Sequence, residues 1–496
     1  MTPFDLAGNI IDNKNYEHAV RHLGQGNVVL PTFSELANPS ILDQSTIKLC
    51  SGIAPDDPNS ANLFRVHWYN DRERSGLAEI PGYFILESEF TGIKAPIIVV
   101  LGDSFPMIKA HKVLAAYACL VTRLITGQFN PTVDKAIWPS TGNYCRGGIA
   151  ISRILGCRGV AVLPERMSQE RFDWLDNWVS DPADIIRTPG SESNVKEIYD
   201  KCAALSADPS NIILNQFSEF ANYLVNYQCT GAALNHVFNH LKEQNNKLSL
   251  AAFVAATGSG GTLGAGDYLK MHQDSLIVAV EPTECPTMLY NGFGEHNIQG
   301  IGDKHIPLVQ NVMNTDIVTA VSDKSCDRLN VLFNTEVGKD YLINRRKLNP
   351  TMVNTLAILG LSGIANVLAA IKTARLLNLT ENNAVITVAT DSGELYASER
   401  ILTENKVFPE GFDQVSAGET YAQHLLGLDN DHILETTKRD RNRIFNLGYY
   451  TWVEQQNISV ENFESRREQE FWQGLHKLLP TWDTMIQEFN QRAAAV

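Results

Sequence analysis

At 496 residues, 44% hydrophobic and 20% charged, the chain is long enough to bury two ordinary cores or one large one. A formal charge of −15 argues against a nucleic-acid-binding surface. Apolar runs stop short of a membrane span, Met1-Thr2-Pro3-Phe4-Asp5 is not expected to open a signal peptide, and eight scattered cysteines without C-x-x-C or zinc spacing read as reduced thiols of a cytoplasmic enzyme.

Residues 1–92 are turn-rich, as at Ala54-Pro55-Asp56-Asp57-Pro58-Asn59, and carry few catalytic cues; they are expected to form an N-terminal extension. Residues 96–102 read as a buried strand ended by Asp103-Ser104-Phe105-Pro106, with a helix following from about 110 through 121. Lys109 and Lys112 lie near that helix start, where cations are slightly disfavoured and so call for a reason. Facing a cofactor aldehyde, either amine could form a Schiff base.

A second strand–turn–helix unit runs through Ala136-Ile137-Trp138-Pro139-Ser140-Thr141-Gly142-Asn143, where hydroxyl, amide and helix-start N–H groups suit a carboxylate or phenolate oxygen. The strand expected at 159–165 makes the order βαβα, with parallel pairing. A further strand at 211–214 precedes Gln216 and Phe217. His236 and His240 share a helix face as H-x-x-x-H, but Val237 stands where a zincin needs Glu, so no metal is expected.

The apolar run 248–256 feeds Thr257-Gly258-Ser259-Gly260-Gly261-Thr262, and a helix follows. Strand, glycine turn and helix start together form an anion cup, to which Ser259 and Thr262 can add hydroxyls. No Lys-Ser/Thr pair follows the last glycine, which excludes a P-loop, and Leu263 breaks the dinucleotide fingerprint. Strands are expected at 276–282 and 384–389, a glycine turn at Gln299-Gly300-Ile301-Gly302-Asp303 lining a cleft entrance, and a long apolar helical stretch over 356–377 interrupted by Gly360, Ser362 and Gly363. Beyond about 405 the pattern becomes an accessory helical segment.

Six motifs in order resemble the fold-type II pyridoxal-phosphate enzymes, most closely cysteine synthase and cystathionine β-synthase: Ser140-Thr141-Gly142-Asn143, Asn215-Gln216-Phe217, Gly258-Ser259-Gly260-Gly261-Thr262, His296-Asn297-Ile298-Gln299-Gly300-Ile301-Gly302, Gly360-Leu361-Ser362-Gly363 and Asp391-Ser392-Gly393-Glu394. The resemblance implies an α/β fold of two domains, tryptophan synthase β-like, with parallel sheets flanked by helices. Its expected divisions are a smaller domain at 93–235, a larger one at 236–404, and extensions at 1–92 and 405–496.

By position, Lys112 resembles the Schiff-base lysine, since Ala110-His111-Lys112 is similar to the Ala-His-Lys of tryptophan synthase β; Lys109 stays a rival. Asn143 resembles the residue that bonds the cofactor's phenolic oxygen. Gly258, Ser259, Gly260, Gly261 and Thr262 resemble the phosphate cup. Ser140, Thr141, Gly142, Gln216 and Gly300 resemble the substrate-binding groups. Ser392 would face the pyridine nitrogen, with Ser362 and Asp391 as alternatives.

A serine there would favour β-elimination or β-replacement on a small amino acid with a leaving group at Cβ. The other readings are a dehydratase, ammonia-lyase or racemase on the same scaffold, or a non-catalytic or nucleotide-binding protein. The resemblance also implies a homodimer, with neither nucleic acid nor membrane as partner.

Overall fold

Runs of Val, Ile and Ala without alternating polar residues can be satisfied only with both faces covered, as in a parallel sheet under helices. The computed structural model, which describes residues 6–496, arranges them that way; the Met1–Asp5 stretch, where no signal peptide is expected, lies outside the described residues. The strands are β1 (Tyr83–Leu86), β2 (Ile97–Leu101), β3 (Lys135–Pro139), β4 (Arg158–Pro164), β5 (Ile185–Thr188), β6 (Asn211–Ile213), β7 (Ser249–Ala256), β8 (Leu276–Pro282), β9 (Ile317–Val321), β10 (Asn383–Ala389) and β11 (Ile433–Glu435). One sheet has the order β1-β2-β10-β7-β8-β9-β11 and the other β5-β4-β3-β6. Pairing is parallel throughout except at the two edges of the larger sheet, where β1 meets β2 and β11 meets β9 antiparallel.

This topology corrects the expected divisions. β2 does not belong with the smaller unit at 93–235: Ile97 pairs with Val385 and Leu101 with Ala389, so β2 is an interior strand of the larger sheet. Nor is the segment after 405 wholly helical, since β11 adds the far edge of that sheet. In the apolar stretch 356–377 the helix is Leu361–Leu376, which follows the shorter helix Pro350–Leu356. They part at Gly360, where any Cβ would collide with the Asp391 carboxylate.

Helix Lys112–Ile125 is buried along nearly its whole length, so its first residue is held rigidly. The two extensions pack against each other and share one buried cluster with helix Lys112–Ile125. Helix Asn13–Gln25 meets helix Leu478–Ala493, with Tyr16 edge-on to Phe489 at 5.5 Å. The Phe33 amide donates to Asp483 at 2.6 Å, and Asn490 exchanges hydrogen bonds with both backbone groups of Leu30.

Candidate active site

The strand-to-helix turns of the two sheets converge on one cleft, lined among others by Lys112, Ser140, Thr141, Asn143, Gln216, Gly258, Ser259, Gly260, Thr262 and Gly300. Residues up to 280 positions apart in sequence, from His111 to Asp391, thus share one wall system, as ligand sites at the carboxyl ends of parallel strands do. Gly142 and Gly261 are not among the lining residues, and each is needed by what lies behind it. A Cβ at Gly142, whose φ is +145°, would run into the Arg171 side chain, and one at Gly261 into Asn222.

Lys112 Nζ donates to Ser259 Oγ at 2.8 Å and to Gln216 Oε1 at 3.1 Å. The amine therefore bridges the glycine cup and the segment expected to hold a carboxylate. Burial lowers its pKa to about 8, with Asp303 and other anionic groups opposing that shift. Lys109 points elsewhere: its amine pairs with the exposed Glu394 at 2.7 Å and does not line the cleft. The turn that delivers Lys112 lacks glycine, so Met107 and Lys109 take φ of +64° and +49°. That strain costs about 1 kcal/mol per residue, and the bond from Trp174 Nε1 to the Met107 carbonyl helps to hold it.

In the cup, hydrogen bonding fixes who can donate. His111 Nδ1 lies 3.2 Å from the Thr390 carbonyl, which can only accept, so Nδ1 carries the proton. Nε2 then accepts from the Thr262 hydroxyl at 3.0 Å, and burial keeps this ring neutral with a pKa near 3. Ser259 Oγ accepts from Lys112 and from Asn222 Nδ2 at 3.0 Å, which leaves its own proton to donate into the cleft. A Cβ at Gly258 would strike the Gly300 carbonyl, so the backbone there can approach a ligand only as glycine.

Asn143 opens helix Asn143–Ile154 and sits in a chain of polar contacts. Arg146 donates to its Oδ1 at 2.9 Å, and its Nδ2 donates to Asp391 Oδ2 at 2.7 Å. Tyr396 O–H donates to the same oxygen at 2.6 Å and accepts from Arg171 at 2.8 Å. Asp391 Oδ1 has no partner and Asp391 lines the cleft, as do Thr390 and Ser362. Ser392 does not line it; its hydroxyl accepts from the Glu394 amide at 3.3 Å and caps the turn Gly393–Tyr396.

Three groups escaped the sequence reading as chemistry. Asp303 was visible only as the end of a glycine turn, yet it lines the cleft with both oxygens unpartnered. Glu192, in a loop with no motif, is equally buried and unpartnered. Arg171 lies at zero side-chain exposure behind Asp391. The one available signal was Asp directly after Gly-Ile-Gly in a turn already assigned to the cleft. No group of three or more potential metal ligands occurs among the described residues, and His236 meets the Tyr69 hydroxyl at 3.1 Å.

These residues fit pyridoxal phosphate. A buried lysine with a depressed pKa faces the cleft, a glycine cup holds a hydroxyl with its proton free, and Asp391 lines the same cleft. Residues 90–329 match the family described as pyridoxal-phosphate dependent enzyme. A cysteine synthase of Staphylococcus aureus is 30% identical over 267 residues, covering 53% of this chain and 76% of that protein.

Among solved structures, the O-acetylserine dependent cystathionine β-synthase of Helicobacter pylori superposes with a TM-score of 0.51 at 23% identity, over 64% of this chain and 94% of that one. A hydrogen sulfide-producing enzyme of Fusobacterium nucleatum gives 0.53 at 22% identity, over 67% and 91%. With the lysine, the cup and the fold in place, the chain belongs to the fold-type II pyridoxal-phosphate-dependent enzymes of the cysteine synthase type.

Proposed function

We propose that the enzyme catalyses β-elimination or β-replacement on a small amino acid with a leaving group at Cβ, and that Lys112 is both the cofactor's anchor and the base at Cα. The observation that carries this reading is the Lys112 amine itself, held between Ser259 and Gln216 at 2.8 and 3.1 Å. Bound pyridoxal phosphate supplies the electron sink that makes the Cα–H bond acidic.

The chain's own residues do the rest. Ser140, Thr141 and Gln216, beside the N-terminus of helix Asn143–Ile154, would hold the substrate carboxylate and fix Cα near Lys112. A pKa of about 8 leaves a useful fraction of Lys112 neutral near pH 7, able to take the Cα proton. Ser259 would give its free proton to a phosphate oxygen, while Gly258–Gly261 and the following helix start offer backbone N–H groups. Asn143, oriented by Arg146, would bond the ring's phenolic oxygen.

A second reading rests on one observation, Asp391 in the cleft where Ser392 was expected. A carboxylate at the ring nitrogen would keep it protonated and sustain a carbanion, which suits a racemase or dehydratase better. Burial, however, pushes the Asp391 carboxyl upward, and its Oδ2 is already spent on Asn143 and Tyr396.

Release of pyruvate from O-acetylserine, measured with and without sulfide, tests the reading. Sulfide-dependent loss of pyruvate with gain of cysteine is expected. Loss of Cα chirality without release of any β-substituent would overturn it in favour of the racemase. The homodimer and the cytoplasmic setting belong to the same proposal, and sedimentation equilibrium tests the first.

A further inference from the structure

Two buried carboxylates at the cleft are not used by the proposed chemistry: Asp303 lines it, and Glu192 lies against Thr141 and Gly300, which line it. Asp303 is 5% exposed and Glu192 1%, and none of their four oxygens has a hydrogen-bond partner. Desolvating an anion without compensation is costly, so such groups are rare unless something charged comes to meet them. Among the described residues neither forms an ion pair.

The cations that reach them are already committed. Lys112 is the one that favours the charged form of Asp303, and in the proposed chemistry it is tied to the cofactor or carrying the Cα proton. Arg171 plays that part for Glu192, but it is spent on Ser168, Gln299 and Tyr396. Burial raises both carboxyls, Asp303 to about 7, and the charge of Asp303 raises Glu192 further.

The surroundings suit a cation rather than a metal or an anion. Glu192 lies beside the Thr141 hydroxyl and the Gly300 amide, so the pair sits at the substrate end of the cleft. Gly300, with φ +99°, leaves open space where a side chain would be. Phe217 lines the same cleft and belongs to an aromatic group with Tyr199 and His305, at ring separations of 6.0 and 5.1 Å. Aromatic faces attract ammonium groups and repel carboxylates.

We propose that Asp303 and Glu192, walled by Phe217, form a subsite for a primary ammonium group beyond the substrate's own α-amino group. The ammonium arrives either on the nucleophile that attacks Cβ or on the group that leaves it. This choice of source rests on the β-chemistry proposed above, whereas binding at the subsite does not.

The test uses holoenzyme reduced with borohydride, so that amines cannot react with the cofactor. Calorimetric titration compares cysteamine, 2-mercaptoethanol and 3-mercaptopropionate, which differ in the charge of one terminal group. Cysteamine is expected to bind at least tenfold more tightly than the neutral thiol, with the acid weakest. In Asp303→Asn/Glu192→Gln the preference should collapse to within about twofold. Should that variant fail to fold, Glu192→Gln alone, and competition by methylammonium on the unsubstituted chain, give the same discrimination. Equal binding of all three, or preference for the acid, would overturn the subsite.

Turnover then distinguishes the sources. Faster β-replacement with cysteamine than with 2-mercaptoethanol assigns the cation to the nucleophile. Faster elimination from S-(2-aminoethyl)cysteine than from S-ethylcysteine assigns it to the leaving group. If borohydride fixes no cofactor at all, it is the function that fails, and the same titration on untreated protein still judges the subsite.

Discussion

Across the cleft, the glycine cup and Asp303, which ends the 299–303 turn, are provided with hydrogen bonds in opposite ways. In the cup, Ser259, Thr262, His111 and Asn222 all have hydrogen-bond partners within the protein, so that side is organised before any ligand arrives. On the turn, Asp303 has none, and neither does its electrostatic neighbour Glu192. Preorganised donors suit a permanent occupant such as a cofactor phosphate. Buried groups left without partners suit a transient one, because their desolvation is relieved only while a substrate is present. On the proposed function, the difference would divide one cavity into a cofactor side and a substrate side.

The largest expected blow to the ordered side comes from Gly261→Ala, whose new Cβ would overlap Asn222 and disturb its bond to Ser259. Overpacking of this kind costs about 1–3 kcal/mol, or roughly 10- to 100-fold in cofactor affinity. Fluorescence titration of apo-protein with pyridoxal phosphate measures it, and unchanged affinity would break the contrast between the two sides.

The core and the extensions make a second contrast, and Phe489→Ala probes it. The lost ring contact with Tyr16 should destabilise the chain by about 3–5 kcal/mol. Cofactor absorbance below the melting transition is expected to stay as it was. A changed spectrum would mean that the extensions shape the site directly.

The unpartnered side should show itself in pH dependence. Burial raises Asp303 from 3.8 to about 7, so the folded chain binds more protons there than the unfolded one between those values. Stability therefore falls as pH rises through that window, and the full penalty is present above about 7. Asp303→Asn should accordingly stabilise apo-protein at pH 8 by on the order of 2–4 kcal/mol more than at pH 5, read by urea unfolding at both. The smallest effect belongs to Lys109→Ala, which breaks a bridge to the exposed Glu394. It should change stability by less than about 1 kcal/mol and leave cofactor binding intact.

What the sequence made legible was local. Each strand–turn–helix unit carries its signal within a dozen residues, which is why β7, the cup and the Ser140–Asn143 turn stood out before any fold was known. The 93–235 boundary failed for the opposite reason. β2 finds its partner β10 nearly three hundred residues later, and nothing within 97–101 announces which sheet it will join.

Asp391 and Ser392 show a finer limit. Thr390 and Asp391 both reach the cleft, whereas Ser392 is drawn off it because its hydroxyl caps the turn Gly393–Tyr396, and that cap forms only in the folded chain. Glu192 and Arg171 lay beyond reach altogether, because their roles come from burial against residues distant in the chain rather than from their own neighbours.

Reduction of the holoenzyme with borohydride, followed by proteolysis and peptide mapping, tests the central assignment most directly. A pyridoxyl group on Lys112, within the peptide that includes His111 and Val113, is the expected result. A label on Lys109, or on no lysine in a protein that nonetheless absorbs as a pyridoxal enzyme, would contradict it.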